Sequence, residues 1–265
     1  MSGKVVETDL DAGVCNNKEW VKRWAEGDTP FHQSTHDRFL DEREEEMFQG
    51  RKKSIFMPLC GKTFDILWMY RNGHTVCGVE IAEQPVKEFF EENEIDHEIQ
   101  AVENIGNLYK SKDGRLKLYV ADLFDMSREI CGQYDVVWDR RSFQAINLVD
   151  HQQYRDLLVS LMKEDTLYYL GTVEYDPTVW PGPPHSLSDE VVRDVFGEYC
   201  IIELLEEKER ETQDTNASQI ETESDGGKPE SDGGKTTSKP KSFGEACKMS
   251  SYVYDRWYKM TLKLS

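Results

Sequence analysis

Two short apolar runs, Ser54–Leu59 and Thr75–Val79, alternate with two stretches of helical periodicity, Phe64–Tyr70 and Glu83–Glu92. Neither run alternates apolar with polar residues. Each is apolar on both faces, as a strand must be when helices cover both sides of its sheet. Asn72-Gly73 ends the first helix just before the second strand begins. The alternation continues, with strands expected at Leu116–Val120, Tyr134–Trp138 and Leu167–Val173 and helices at Gln152–Met162 and Asp189–Phe196. The fold class is therefore α/β, a doubly wound, mostly parallel sheet with helices on both faces. Cys200–Leu205 and Tyr252–Leu262 are expected to add an antiparallel hairpin at one edge.

Upstream, residues 1–17 have few apolar side chains and no period, which predicts a flexible leader. Trp20, Val21, Trp24 and Ala25 then recur at helical spacing before Gly27, a residue suited to a helix C-cap. After an irregular linker, Thr29–Gln33, a charged helix over Asp37–Gln49 carries Phe39, Leu40, Met47 and Phe48 on its apolar side. Near the other end, residues 206–241 hold only Ala217 and Ile220 as apolar side chains, and Glu223–Lys228 repeats as Glu230–Lys235. Such a segment buries too little surface to offset its ordering entropy, so a disordered acidic insertion is expected within a single domain over 18–265.

The net charge of -19 and pI of about 4.8 argue against nucleic acid as a partner, because phosphate neutralisation needs clustered Lys and Arg. No apolar run approaches the roughly 20 residues a bilayer demands, and the first residues lack the core of a signal peptide, so no membrane association and a cytoplasmic location are expected. Cysteines 15, 60, 77, 131, 200 and 247 are scattered with no metal-ligand spacing; they read as free thiols, and no metal is expected.

In an open parallel sheet, ligands bind beyond the carboxyl ends of the strands, where the strand order reverses. The first run ends in Pro58-Leu59-Cys60-Gly61-Lys62 and the second in Gly78-Val79-Glu80. Gly61 would admit close backbone approach, and Glu80 stands where an acid can accept hydrogen bonds from both ribose hydroxyls of an adenosine ligand. A plain tight turn beside a surface acid would place the same two residues there. Gly61-Lys62-Thr63 is not a phosphate-binding P-loop, which needs glycine where Phe56 stands. A single glycine also suits a phosphate-free adenosine ligand better than a dinucleotide.

Several segments together carry a resemblance. Phe56–Lys62, Gly73–Ile81, Val137-Trp138-Asp139-Arg140, Asp176-Pro177 and Pro181-Gly182-Pro183-Pro184 resemble, in order and separation, the thiopurine S-methyltransferase family of class I S-adenosylmethionine-dependent methyltransferases. The resemblance implies S-adenosyl-L-methionine as cofactor and S-adenosyl-L-homocysteine as product. It implies a Rossmann-like domain with an N-terminal lid over 18–50, in which Trp20, Trp24 and Phe31 face the cofactor. Leu59, Gly61, Glu80, Asp122, Leu123, Phe124 and Arg140 complete the implied cofactor site. Arg140 is also the expected cation that favours the substrate thiolate.

Phe31, Arg141, Trp180, Pro183 and Lys239 are expected around a small-molecule thiol, with His32 a further proton acceptor. Two departures are visible. The family commonly has small residues where this chain has Arg141-Ser142-Phe143, and Lys239 falls about where the family places a second arginine. Transfer to other soft nucleophiles (small thiols, halides, selenium or tellurium species) and a non-catalytic adenosine-binding role are alternatives to thiol methylation. A monomer is expected.

Overall fold

The computed structural model describes residues 13–210 and 239–263. Its elements run α1 (Asn17–Glu26), α2 (Arg38–Phe48), β1 (Ser54–Met57), α3 (Phe64–Arg71), β2 (Thr75–Glu80), α4 (Glu83–Glu92), β3 (His97–Val102), β4 (Gly106–Ser111), β5 (Leu116–Val120), α5 (Arg128–Cys131), β6 (Tyr134–Arg140), α6 (His151–Ser160), β7 (Met162–Tyr175), α7 (Asp189–Phe196), β8 (Cys200–Glu209), α8 (Phe243–Met249) and β9 (Val253–Leu262). The strands form one sheet in the order β3-β4-β5-β2-β1-β6-β7-β9-β8. The five central strands β5, β2, β1, β6 and β7 are parallel, and both flanks are antiparallel. This is the doubly wound, mostly parallel architecture expected from the apolar runs.

Side-chain alternation explains why those runs lack polar positions. Ile55, Met57, Val76, Val136, Trp138 and Tyr169 enter one core, under α2, α3 and α4. Phe56, Cys77, Val79, Val137, Tyr168 and Leu170 enter the other, with Tyr154 and Leu158 of α6 and Val192 and Phe196 of α7. The chain moves outward from β1 through β2 to β5, then returns to lay β6 on the other side of β1. The order reverses between β1 and β6, which places the ligand crevice beyond Met57 and Arg140.

Four expectations need correction. The leader does not extend to residue 17: Asn16 caps α1 through a reciprocal capping box with Glu19, and Cys15 is buried. Residues 1–12 lie outside the described residues. The helix expected to reach Met162 stops at Ser160, because Leu161 turns directly into β7 and is itself buried. The hairpin β3–β4 was not anticipated, since its outer strand mixes polar and apolar residues and is largely exposed. The acidic insertion does not begin at 206. Glu206 to Glu209 continue β8 and pair with Trp257 to Tyr254, their charged side chains tolerated at a sheet edge. Residues 211–238 lie outside the described residues.

Beneath the crevice, β2 is drawn close to the turn after β1. A Cβ on Gly78 would stand 2.6 Å from Cys60 Sγ and 2.9 Å from Leu118 Cδ2. Gly78→Ala is accordingly expected to cost about 1–3 kcal/mol, the range for overpacking a filled core. Urea unfolding followed by tryptophan fluorescence measures it, and an unchanged midpoint would contradict this packing.

Candidate active site

The turn after β1 is built for close backbone approach. Leu59 and Gly61 both take left-handed conformations, at φ 42° and 50°, and Cys60 N–H donates to Val79 O at 3.0 Å. Glu80, at the end of β2, is buried, yet both its oxygens are claimed. Gly61 N–H donates to Oε2 at 3.0 Å and Ala82 N–H to Oε1 at 2.9 Å. Burial pushes its pKa up, and these backbone donors oppose the rise. Each oxygen keeps acceptor capacity for a further donor, and the two N–H groups fix the carboxylate beside the turn.

Over this turn lies the N-terminal segment. Trp24 is buried, and a Cβ on Gly61 would lie 2.9 Å from its ring. Phe31 meets Trp20 and Trp24 edge-on, with centroids 5.9 and 5.5 Å apart, while remaining exposed itself. His32 stacks on Phe64 at 6.1 Å, and burial, reinforced by the charge of Lys62, holds its pKa below the usual histidine value.

The segment is tied down in sequence. Asn17 Nδ2 donates to Asp122 beyond β5. Cys15 and Asn147 exchange two hydrogen bonds, at 3.0 and 3.2 Å, beyond β6. Gly13, at φ 93°, abuts Pro181 beyond β7, where a Cβ would lie 2.4 Å from the carbonyl. A strap thus crosses the carboxyl ends of the parallel strands. Asp122 also caps the turn Leu123–Asp125, with Leu123 buried in the core and Phe124 and Leu59 packed against the same cluster.

Arg140 emerges at the end of β6. It pairs with Asp65, not with its neighbour Asp139: Nε donates to Asp65 Oδ2 at 2.9 Å and Nη2 to Thr63 Oγ1 at 3.2 Å. Asp65 has no solvent exposure and also accepts from Trp138 Nε1 at 2.9 Å and Asp37 N–H at 2.8 Å. Asp139 has a separate task. It accepts from the hydroxyls of Tyr154 and Tyr168 and the N–H groups of Ser142 and Phe143, while Ser142 Oγ donates to Pro58 O. The loop after β6 is thereby locked to the turn after β1.

Farther along, Arg141 (φ 71°) donates Nη2 to Asp255 Oδ1 at 3.0 Å. Arg210 grips the same carboxylate with two bonds of 2.6 Å. Trp180, Phe243 and Cys247 pack against Val173, Tyr175 and Val253, and Trp180 Nε1 donates to Pro183 O at 3.3 Å. The structure therefore gathers Trp24, Gly61, Glu80 and Arg140 at one crevice and places Arg141, Trp180 and Pro183 around its β7 side. Lys239 is exposed. Arg210 and Asp255 were not foreseen. Arg210 follows a run of Glu and Lys that reads as solvated, and only the pairing of β8 with β9 reveals its partner. Among the described residues, no group of three or more His, Cys, Asp and Glu side chains could hold a metal ion.

Known proteins resemble this chain in sequence and in fold. The model of a family described as thiopurine S-methyltransferase matches residues 15–226. A probable thiopurine S-methyltransferase of Danio rerio is 41% identical over 196 residues, covering 73% of this chain and 84% of that protein. The thiopurine S-methyltransferase of Panthera leo is 35% identical over 196 residues, covering 73% and 80%. Among solved structures, the Burkholderia thailandensis 1,6-didemethyltoxoflavin-N1-methyltransferase with bound S-adenosylhomocysteine is similar in fold, with TM-score 0.55, 10% identity and coverage of 95% and 93%. The N-methyltransferase NodS of Bradyrhizobium japonicum, in complex with S-adenosyl-l-homocysteine, also has TM-score 0.55, at 8% identity and coverage of 92% and 98%.

Replacing Asp65 with Asn would leave Arg140 without its counter-charge and turn an amide donor toward existing donors. Asp65→Asn is expected to lower stability by about 3 kcal/mol, as for one broken half of a buried pair. Chemical denaturation reads this, and a loss below about 1 kcal/mol would deny Asp65 its central position.

Proposed function

The chain belongs to the thiopurine S-methyltransferase family, and on that basis we propose that it moves a methyl group from S-adenosyl-L-methionine to the sulfur of an aromatic or heterocyclic thiol. The observation that carries the reading is the pinned Glu80 carboxylate beside the Gly61 turn, roofed by Trp24. Such a crevice fits an adenosine ligand without phosphates: it has one glycine turn, a buried acid able to take two hydroxyl donors, and an aromatic cover.

When bound, the cofactor supplies a methyl group on a positively charged sulfur, which keeps the carbon–sulfur electron pair as the acceptor sulfur forms its new bond. The protein's part is positional and electrostatic. Glu80 orients the ribose. Trp24, with Phe31 beside it, covers the turn and excludes water, which strengthens every charge interaction beneath. Arg140 is held along its Nε–Nη2 edge by Asp65 and Thr63. Its position at the end of β6 lets its charge favour the thiolate over the thiol, so that a weak proton acceptor suffices. His32, kept neutral by burial, is placed on the lid side to take the thiol proton. Trp180 and Pro183 offer a flat apolar wall to an aromatic ring.

Two measurements test this. Calorimetry with S-adenosylhomocysteine should find Glu80→Ala weakened roughly a hundredfold, from two hydrogen bonds to a charged acceptor at about 1.5 kcal/mol each. Arg140→Ala should lower kcat/KM for an aromatic thiol by roughly 10²-fold or more, as for removal of one preorganised transition-state donor. Unaltered cofactor affinity in Glu80→Ala, together with undiminished turnover in Arg140→Ala, would remove the foundation of the proposal.

A pH dependence follows from the upward shift of Glu80. The carboxylate form accepts the ribose hydroxyls, so affinity is complete above its raised pKa and declines as pH falls through it. Titrations at pH 7.5 and 5.0 should differ in the wild type and not in Glu80→Gln.

A further inference from the structure

Two arginines share Asp255, and they share it unequally. Arg210 takes the carboxylate as a fork, Nε on Oδ2 and Nη2 on Oδ1, each at 2.6 Å. Arg141 reaches only Oδ1, through Nη2 alone, at 3.0 Å. The balance of charge differs accordingly. The pKa of Arg210 is raised, chiefly by its bonds to Asp255. That of Arg141 is lowered: burial is the main cause, the charges of Arg210 and Arg140 add to it, and Asp255 and Asp37 only partly offset it. A guanidinium does not give up its proton in a protein, and Arg141, bonded to Asp255 through one nitrogen only, keeps further N–H groups to offer.

The nearby acids are already engaged. Asp65 is used by Arg140, Trp138 and the Asp37 N–H, and the Asp37 carboxylate caps α2 through Phe39 N–H. A mobile partner can still arrive, because the Arg141 side chain is 36% exposed. The fold also holds this residue in place at some expense. Its left-handed backbone, at φ 71°, is strained for a residue with a Cβ. It is fixed by its own N–H on Gly171 O at 3.1 Å and by the Ser142 and Phe143 N–H groups on Asp139. Asp255 is the register partner of Val173, and Val173 belongs to the cluster with Tyr175 and Val253 against which Trp180, Phe243 and Cys247 pack. Arg141 thus meets Asp255 at the edge of an apolar cluster that carries two aromatic side chains.

We propose that Arg141 anchors a carboxylate on the methyl acceptor, so that the preferred substrate is an aromatic thiol acid rather than a neutral aromatic thiol. This rests on the methyltransferase reading and narrows it. The acceptor ring would lie on the Trp180 side, its carboxylate would use the Arg141 N–H groups that Asp255 leaves free, and its sulfur would point back toward Arg140.

The experiment compares the S-methylated mercaptobenzoates (2-, 3- and 4-isomers) with the matching benzamides, which have the same shape but no charge. Binding is measured by calorimetry with S-adenosylhomocysteine present. In the wild type at least one benzoate should bind roughly tenfold more tightly than its amide, the size expected of one charge-assisted pair. The ratio should fall toward one in Arg141→Asn and in high salt. Asparagine tolerates the left-handed backbone, and Arg141→Gly provides a second variant free of strain there, with thermal melting to verify folding.

Equal affinities for acid and amide in the wild type, or a ratio that survives both substitutions, would overturn the assignment. The titrations need no turnover. A protein that methylated no thiol at all would defeat the enzymatic reading while the charge selectivity could still be read.

Discussion

A carboxylate shut off from water cannot remain charged without donors, and the site is organised around that constraint. Asp65 has zero exposure, and its donors arrive from the N-terminus of α2, from β6 through Trp138 and from Arg140. One acid on α3 therefore sets the positions of α2, of β6 and of the Arg140 guanidinium together. Asp139 repeats the device on the other face, gathering two tyrosines and two backbone N–H groups, and Glu80 does so beside the turn. Removing any of these acids would strand its donors, which is more costly than the net worth of the bonds themselves.

These acids stand near the carboxyl ends of strands or just past them because the strand interiors are closed to them. Between the two cores every side chain of β1 after Ser54 is buried, and polar groups are admitted only where the sheet ends and helices begin. The crevice inherits its shape from that boundary. Behind it, Phe39, Trp257 and Trp138 stack with centroids 4.5 and 4.8 Å apart, and the Trp257 ring covers Gly171, the register partner of Arg140. The cation is thus backed by a rigid aromatic layer, which allows small displacements to be resisted rather than absorbed.

Much of this was legible in the sequence, for identifiable reasons. Strands β1, β2, β6 and β7 each contain a continuous apolar run, and Gly61 and Glu80 occupy positions that strand ends dictate. Strand β3 was not legible because polar His97, Glu98 and Gln100 interrupt its apolar residues and none of its side chains is fully buried. The end of β8 was hidden by the opposite effect: Glu206–Glu209 have the composition of a loop, and it is pairing with Tyr254–Trp257 that makes them a strand. Side-chain partners were less legible still. Arg140 has an acid adjacent to it in sequence, yet strand alternation sends Asp139 to one face and leaves Arg140 to the carboxylate 75 residues earlier. Arg210 and Asp255, 45 residues apart, meet only because β8 and β9 are antiparallel neighbours.

The strap from Gly13 to Asn17 is fastened at three points along the crevice: the carbonyl of Pro181, the side chain of Asn147 and the carboxylate of Asp122. None of the three is an apolar seal. Two are hydrogen-bonded contacts that water can replace, and the third is a close backbone approach. A ligand beneath such a strap would leave only as the strap opened, so tightening these fastenings would lengthen its residence and loosening them would shorten it.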